Sequence, residues 1–119
     1  MSKSRFYSVV IDCRDAKAQA QFWSAVLQQP ITYEAEDEDE FVVSAHEGAE
    51  PELIFAPVPE EKTVKNRLHI DLAPDDRDAE VERIVGLGAT RIDVGQTGEE
   101  TWVVLADPEG NEFCVLSAR

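Results

Sequence analysis

The sequence repeats itself in pattern at an interval of about half its length. Asp15 and Asp76 are 61 positions apart, and so are Ser8 and His69, each seven residues ahead of its aspartate. Glu47-Gly48 is answered by Glu109-Gly110 at a spacing of 62. Few residues are identical between the halves, so the repeat is one of element order. A repeat of this length in 119 residues means two copies of one supersecondary unit, each needing its neighbour's apolar face. Two such copies are expected to close one curved sheet, with helices outside and a cleft inside.

Within each copy the expected order is strand, helix, then three strands. Phe6 to Cys13 is rich in β-branched and aromatic residues, as in a buried strand. Asp15 stands where a helix N-cap belongs, able to accept hydrogen bonds from the first-turn amides. Phe22, Trp23, Val26 and Leu27 recur at helical spacing from Ala16 to Gln28, and Pro30 stops the pattern. Strands are expected at Ile31 to Glu34, Glu40 to Ala45 and Glu52 to Ala56. The acidic stretch Glu36 to Asp39 lacks the alternating ligands and glycine of a calcium loop, so it is expected as a solvated hairpin tip.

The second copy begins with a strand at Arg67 to Leu72 and an N-cap at Asp76. Val81, Ile84, Val85 and Leu87 form its helical stripe, closed by Gly88. Strands at Ala89 to Val94, Trp102 to Ala106 and Glu112 to Leu116 follow, the last two joined by a turn at Pro108-Glu109-Gly110-Asn111. The fold class is therefore α+β: one domain over residues 1–119, made of two βαβββ modules at about 5–57 and 66–119, with a cup-shaped mixed sheet.

Composition removes several function classes. Eleven basic against 25 acidic residues leave a net charge of −14. Such a surface repels phosphate backbones and anionic membranes, so neither a nucleic acid nor a membrane is expected as partner. No apolar run reaches the roughly 18 residues a span requires, and Met-Ser-Lys-Ser-Arg leads into a strand without a signal core. The protein is expected in the cytoplasm, with Cys13 and Cys114 as reduced, buried thiols.

Three segments together carry a family resemblance. They are Cys13-Arg14-Asp15 with the helix to Phe22-Trp23, the connector from Val58-Pro59 to Lys65-Asn66-Arg67-Leu68-His69, and the ending Asp107-Pro108-Glu109-Gly110-Asn111-Glu112-Phe113. The chain resembles the vicinal oxygen chelate superfamily of glyoxalase I, extradiol dioxygenases and bleomycin-resistance proteins, and within it the small bacterial glyoxalase-like domains. The resemblance implies paired βαβββ modules, a site in the sheet cup, and a homodimer. Metal-dependent members hold a divalent ion with His, Glu or Gln from the first and fourth strands of each module. Carried over, those positions fall on Ser8, Glu52, His69 and Cys114. Serine is a weak ligand for a first-row metal, and cysteine in place of a carboxylate shifts preference towards zinc or copper. His69, Glu52 and Cys114 thus form an incomplete metal set, and His69 or Glu52 could equally work as acid or base.

Two main readings follow. One is a binding module that needs no cofactor, its cup walled by Val10, Ile54, Trp102, Val104, Cys114 and Leu116, with His69, Ser8 and Glu52 as polar hooks. The other is a lyase, isomerase or dioxygenase using zinc, nickel, manganese or iron at His69, Glu52 and Cys114. A third is a dimerisation or regulatory domain that has lost its ligand. True glyoxalase I is not expected, since that reaction needs a full ligand set and a glutathione-adduct site. Asp12 and Asp71 lie inside apolar strands, where a buried carboxylate would need a partner, Arg14, Arg67 or a tryptophan being the candidates. Trp23 is expected in the core and Trp102 at the cup or its rim.

Overall fold

Both helix starts form as their caps dictate. The Asp15 carboxylate accepts the Ala18 N–H at 3.0 Å and begins α1 (Ala16–Leu27); Asp76 accepts from Ala79 at 3.2 Å and begins α2 (Arg77–Gly86). Each bond satisfies an amide that the first turn cannot. Gln28 ends α1 in the left-handed region, two residues before Pro30. The computed structural model describes residues 3–92 and 101–119.

The chain forms two compact units, 1–61 and 62–119. Unit 1 contains β1 (Ser8–Cys13), α1, β2 (Ile31–Glu34), β3 (Phe41–Val43) and β4 (Glu52–Pro57); its sheet has the order β1-β4-β3-β2. Unit 2 contains β5 (Asp71–Leu72), α2, β6 (Thr90–Arg91), β7 (Val103–Ala106) and β8 (Glu112–Val115), in the order β5-β8-β7-β6. In each, the first strand runs parallel to the fourth and the other pairs are antiparallel. The two mixed sheets with their helices are the expected βαβββ pattern twice. The 36–39 stretch is the β2–β3 hairpin tip, where Glu38 takes a positive φ of 58°.

Alternation along the strands sets the two faces of each sheet. In unit 1, Phe55 and Phe41, 0% and 1% exposed, pack on the helix side with Trp23 and Phe22, whose rings meet edge to face at 5.4 Å. In unit 2 the same role falls to Phe113, Val115 and Leu105, with Val81 and Ile84 from α2. Both cysteines are buried and reduced, as expected.

The two hairpin turns before the fourth strands match as the repeat requires: Gly48 and Gly110 have φ of 87° and 89°. A side chain is disfavoured there, which is why glycine recurs. Asp107 organises the second turn, its Oδ1 accepting from the amides of Glu109 at 3.0 Å and Asn111 at 2.9 Å. Asp107 is buried, so Asp107→Ala strands two donors. Urea unfolding is expected to show a loss of about 2 kcal/mol; an unchanged midpoint would mean the turn holds its shape without the carboxylate.

Three expectations need correction. The strand at Arg67 to Leu72 shrinks to Asp71–Leu72. The Asn66 N–H is held by the Glu112 side chain at 3.2 Å, and the ladder starts only where the Ile70 carbonyl accepts the Cys114 N–H at 2.9 Å. Asp12 and Asp71 are exposed, because both stand on the sheet face turned away from the helix. The strand expected from Ala89 begins at Thr90, and its end at Asp93 and Val94 lies outside the described residues.

Candidate functional site

The register assigns the expected site residues to the open faces of the sheets. In unit 1, Ser8 is paired with Glu52 and Val10 with Ile54, and Ile54 in turn with Val42 on β3. Register partners share a face, so Val10, Ile54 and Val42 form an apolar row with Ser8 and Glu52 beside it. In unit 2, Asp71 is paired with Cys114 and Cys114 with Val104. Leu116 and Trp102, two residues beyond Cys114 and Val104, continue the open-face alternation. Trp102 is 43% exposed, whereas Trp23 is in the core at 1%.

The repeat can now be aligned by pairing. Val10 with Ile54 in unit 1 answers Asp71 with Cys114 in unit 2, and Ser8 with Glu52 answers His69 and Glu112. The apolar row of one sheet is thus a polar row in the other. A separate open depression of about 430 Å³ beside the first turn of α2, around Pro74, Asp76 and Arg83, lies away from this row.

Three side chains converge on the open face of unit 2. The His69 Nδ1 is 2.9 Å from Asp71 Oδ1, and one ligand atom from each of His69, Asp71 and Cys114 lies within 4.8 Å of the others. Cys114 is buried, while the other two are about half exposed. Burial pushes the Cys114 thiol up; the Asp71 charge and its hydrogen bond to the thiol push it further, and the Lys65 charge pulls it partly back. The thiol is therefore protonated at neutral pH and donates to Asp71, so it is no resting nucleophile. Imidazole, carboxylate and thiol at these spacings make a weak, incomplete candidate site for a borderline ion such as zinc.

Of the expected site residues, His69 and Cys114 come together in unit 2, and Ser8 and Glu52 stand side by side in unit 1. Asp71 completes the unit 2 cluster and was not among the expected ligands. Its signal was present: it lies two residues after His69, the spacing that puts two side chains on one strand face. Lys62 and Glu112 gave no such signal. They meet across 50 positions, with Lys62 Nζ at 2.9 Å from Glu112 Oε2.

Residues 8–116 match the glyoxalase-like domain family. The chain belongs to that family. Among curated proteins the sequence finds no match. Solved structures share the fold at low identity. A glyoxalase/bleomycin resistance protein/dioxygenase family enzyme from Burkholderia phytofirmans PsJN is 21% identical, with a TM-score of 0.69 over 98% of this chain and 100% of that one. A mutant of the fosfomycin resistance protein FosX from Listeria monocytogenes, solved with Mn(II) and 1S,2S-dihydroxypropylphosphonic acid, is 14% identical at a TM-score of 0.74, covering 100% of this chain and 93% of that one. TnmS3, an antibiotic binding protein from Streptomyces sp. CB03234, is 17% identical at 0.68, covering 100% and 99%.

In this glyoxalase-like domain the thiol gives a direct readout of the cluster. Mass-mapped iodoacetamide labelling of Cys114 is expected to accelerate only above the ordinary thiol value of about 8.5. Asp71→Asn removes the repelling charge and moves that inflection down, though burial still holds it high. An unmoved profile in Asp71→Asn would show that the carboxylate does not reach the thiol. Among the described residues, no helix is long and apolar enough to cross a membrane.

Proposed function

We propose that this protein binds a small organic molecule on the open face of its second sheet without needing a metal ion. The observation that carries this reading is the composition of the row opposite α2. Trp102 and Leu116 supply apolar surface beside the buried Val104, and His69, Asp71 and Cys114 supply a few convergent polar atoms, the mixture a small-ligand site requires. The fold is shared by an antibiotic binding protein, by a fosfomycin resistance protein complexed with Mn(II) and by a family enzyme, so the fold decides nothing between sequestration and catalysis. The donor set favours binding. Ser8 offers only a hydroxyl, and Ile54 stands where unit 2 has Cys114.

The alternative is a metal-dependent lyase, isomerase or dioxygenase, favoured by the three donors within 4.8 Å. His69, Asp71 and Cys114 would hold the ion, and the ion would polarise a substrate oxygen.

Trp102 emission separates the two. Aromatic and drug-like fragments are titrated into the full chain with EDTA present, then with zinc, nickel, manganese or iron(II). Saturable quenching that persists in EDTA and disappears in Trp102→Phe is the expected result. Quenching only with an added ion, together with one ion per chain that His69→Ala abolishes, would replace this reading with the metal-dependent one.

A further inference from the structure

Basic residues are scarce in this chain, and nearly all are taken. Arg5 pairs with Glu50, Arg14 with Glu61, Lys17 with Glu38 and Lys62 with Glu112. Arg77 pairs with Asp78, Arg83 with Glu80 and Arg91 with Glu82. Apart from Lys3 and Arg119 near the chain ends, only Lys65 and Arg67 among the described residues face no carboxylate in an ion pair. With 25 acidic side chains available, two unpaired neighbours on one segment call for an explanation.

Their location supplies one. The Asn66 amide and the Lys62 ammonium both bind the Glu112 carboxylate, at 3.2 and 2.9 Å. Glu112 lies two residues before Cys114 on the same strand face, so the clamp holds the 62–66 segment beside the thiol. Lys65 is close enough for its charge to act on Cys114. Lys62 and Glu112 cancel, which leaves Lys65 and Arg67 as the uncompensated charges of this segment. The same segment presents Val64 and Leu68, 75% and 86% exposed, as apolar contacts next to the cations.

We infer that the ligand of this face is a small organic acid, its oxyanion received by Lys65 and Arg67 and its apolar body lying against Val64 and Leu68. This rests on the binding-face reading and adds the sign of the ligand. The chain's overall negative charge opposes an anion, but at physiological ionic strength that field fades within about 8 Å, so cations in contact decide.

The test is a matched set of probes with one body and three charges: phenylacetate, phenylacetamide and phenethylamine. Each is titrated into the labelled full chain, with amide shifts read at residues 64–72, 102–104 and 114–116. Phenylacetate is expected to bind tightest, and Lys65→Gln/Arg67→Gln should weaken it about tenfold without changing phenylacetamide. Raising salt to 1 M, where the screening length is about 3 Å, should remove most of that difference. If the amide or the amine binds this face as tightly as the acid, the inference on charge is overturned and the binding face stands. If no probe shifts these residues, both fall. Loss of a dimer in the double variant with phenylacetate affinity unchanged would assign the two cations to a partner copy and overturn the inference.

Discussion

Phe113→Ala is expected to destabilise the protein by about 3–5 kcal/mol, a large share of the 5–15 kcal/mol by which a domain of this size is held. Phe113 is 1% exposed and lies on the helix side of β8, where Val81 and Ile84 are 1% and 0% exposed. Truncation removes the ring from water-free contact and leaves a cavity that a β-strand pinned on both sides cannot close. Its neighbour makes the control. Cys114 points to the opposite face, so Cys114→Ala removes one sulfur and costs about 1 kcal/mol. Urea unfolding followed by amide circular dichroism measures both. Similar losses for the two variants would mean that β8 does not alternate as its register states.

Lys62→Met is expected to cost about 2–3 kcal/mol at neutral pH, more than any exposed ion pair of the chain. The Lys62 and Glu112 side chains are 20% and 9% exposed. Burial pushes the Glu112 carboxyl up, but hydrogen bonds from Lys62, its own amide and Asn66, with the Lys62 charge, outweigh burial and hold it below the usual carboxylate range. Removing the ammonium leaves a buried charge with amide partners only. Glu112→Gln in the Lys62→Met background should recover part of the loss, since a neutral amide needs no counter-charge. The pH dependence follows from the sign of the shift. A carboxyl held low in the folded state contributes stability that is complete above its unfolded value of about 4.3 and is lost as pH falls through the folded one. The penalty of Lys62→Met should shrink in the same acidic range, as Glu112 takes a proton. Equal unfolding midpoints for wild type and Lys62→Met at neutral pH would show that the clamp contributes nothing.

The exposed pairs behave differently. Arg83 and Glu80 shift each other in the expected directions, the hydrogen bond being the main cause for both, yet each side chain is about a quarter to a third exposed. Solvent screening keeps such a pair near a few tenths of a kcal/mol.

Much of the fold was legible because it is written in local rules. Asp15 and Asp76 cap helices by a carboxylate reaching three residues ahead, and Gly48 and Gly110 occupy a backbone region open to few other residues. Apolar periodicity separated α1 and α2 from the strands. The first strand of unit 2 was overextended for the opposite reason. Arg67 to Leu72 has strand composition, but a side chain 46 positions away takes the Asn66 amide and delays the ladder. His69 and Cys114 were legible as site positions through the family resemblance. Asp71 was read as a buried carboxylate wanting Arg14, Arg67 or a tryptophan, whereas it is exposed and meets His69.

By itself the sequence determined the two βαβββ units, their caps and turns, the reduced thiols and the family, because each depends on contacts a few residues apart or on a motif. Tertiary structure alone decided which charges meet. It set Glu112 against Lys62 and Asn66, Asp71 between His69 and Cys114, and left Lys65 and Arg67 without an ion-pair partner among the described residues. Those pairings depend on strand register and on loops closing over some 40 to 50 positions. No local pattern encodes a distance of that kind.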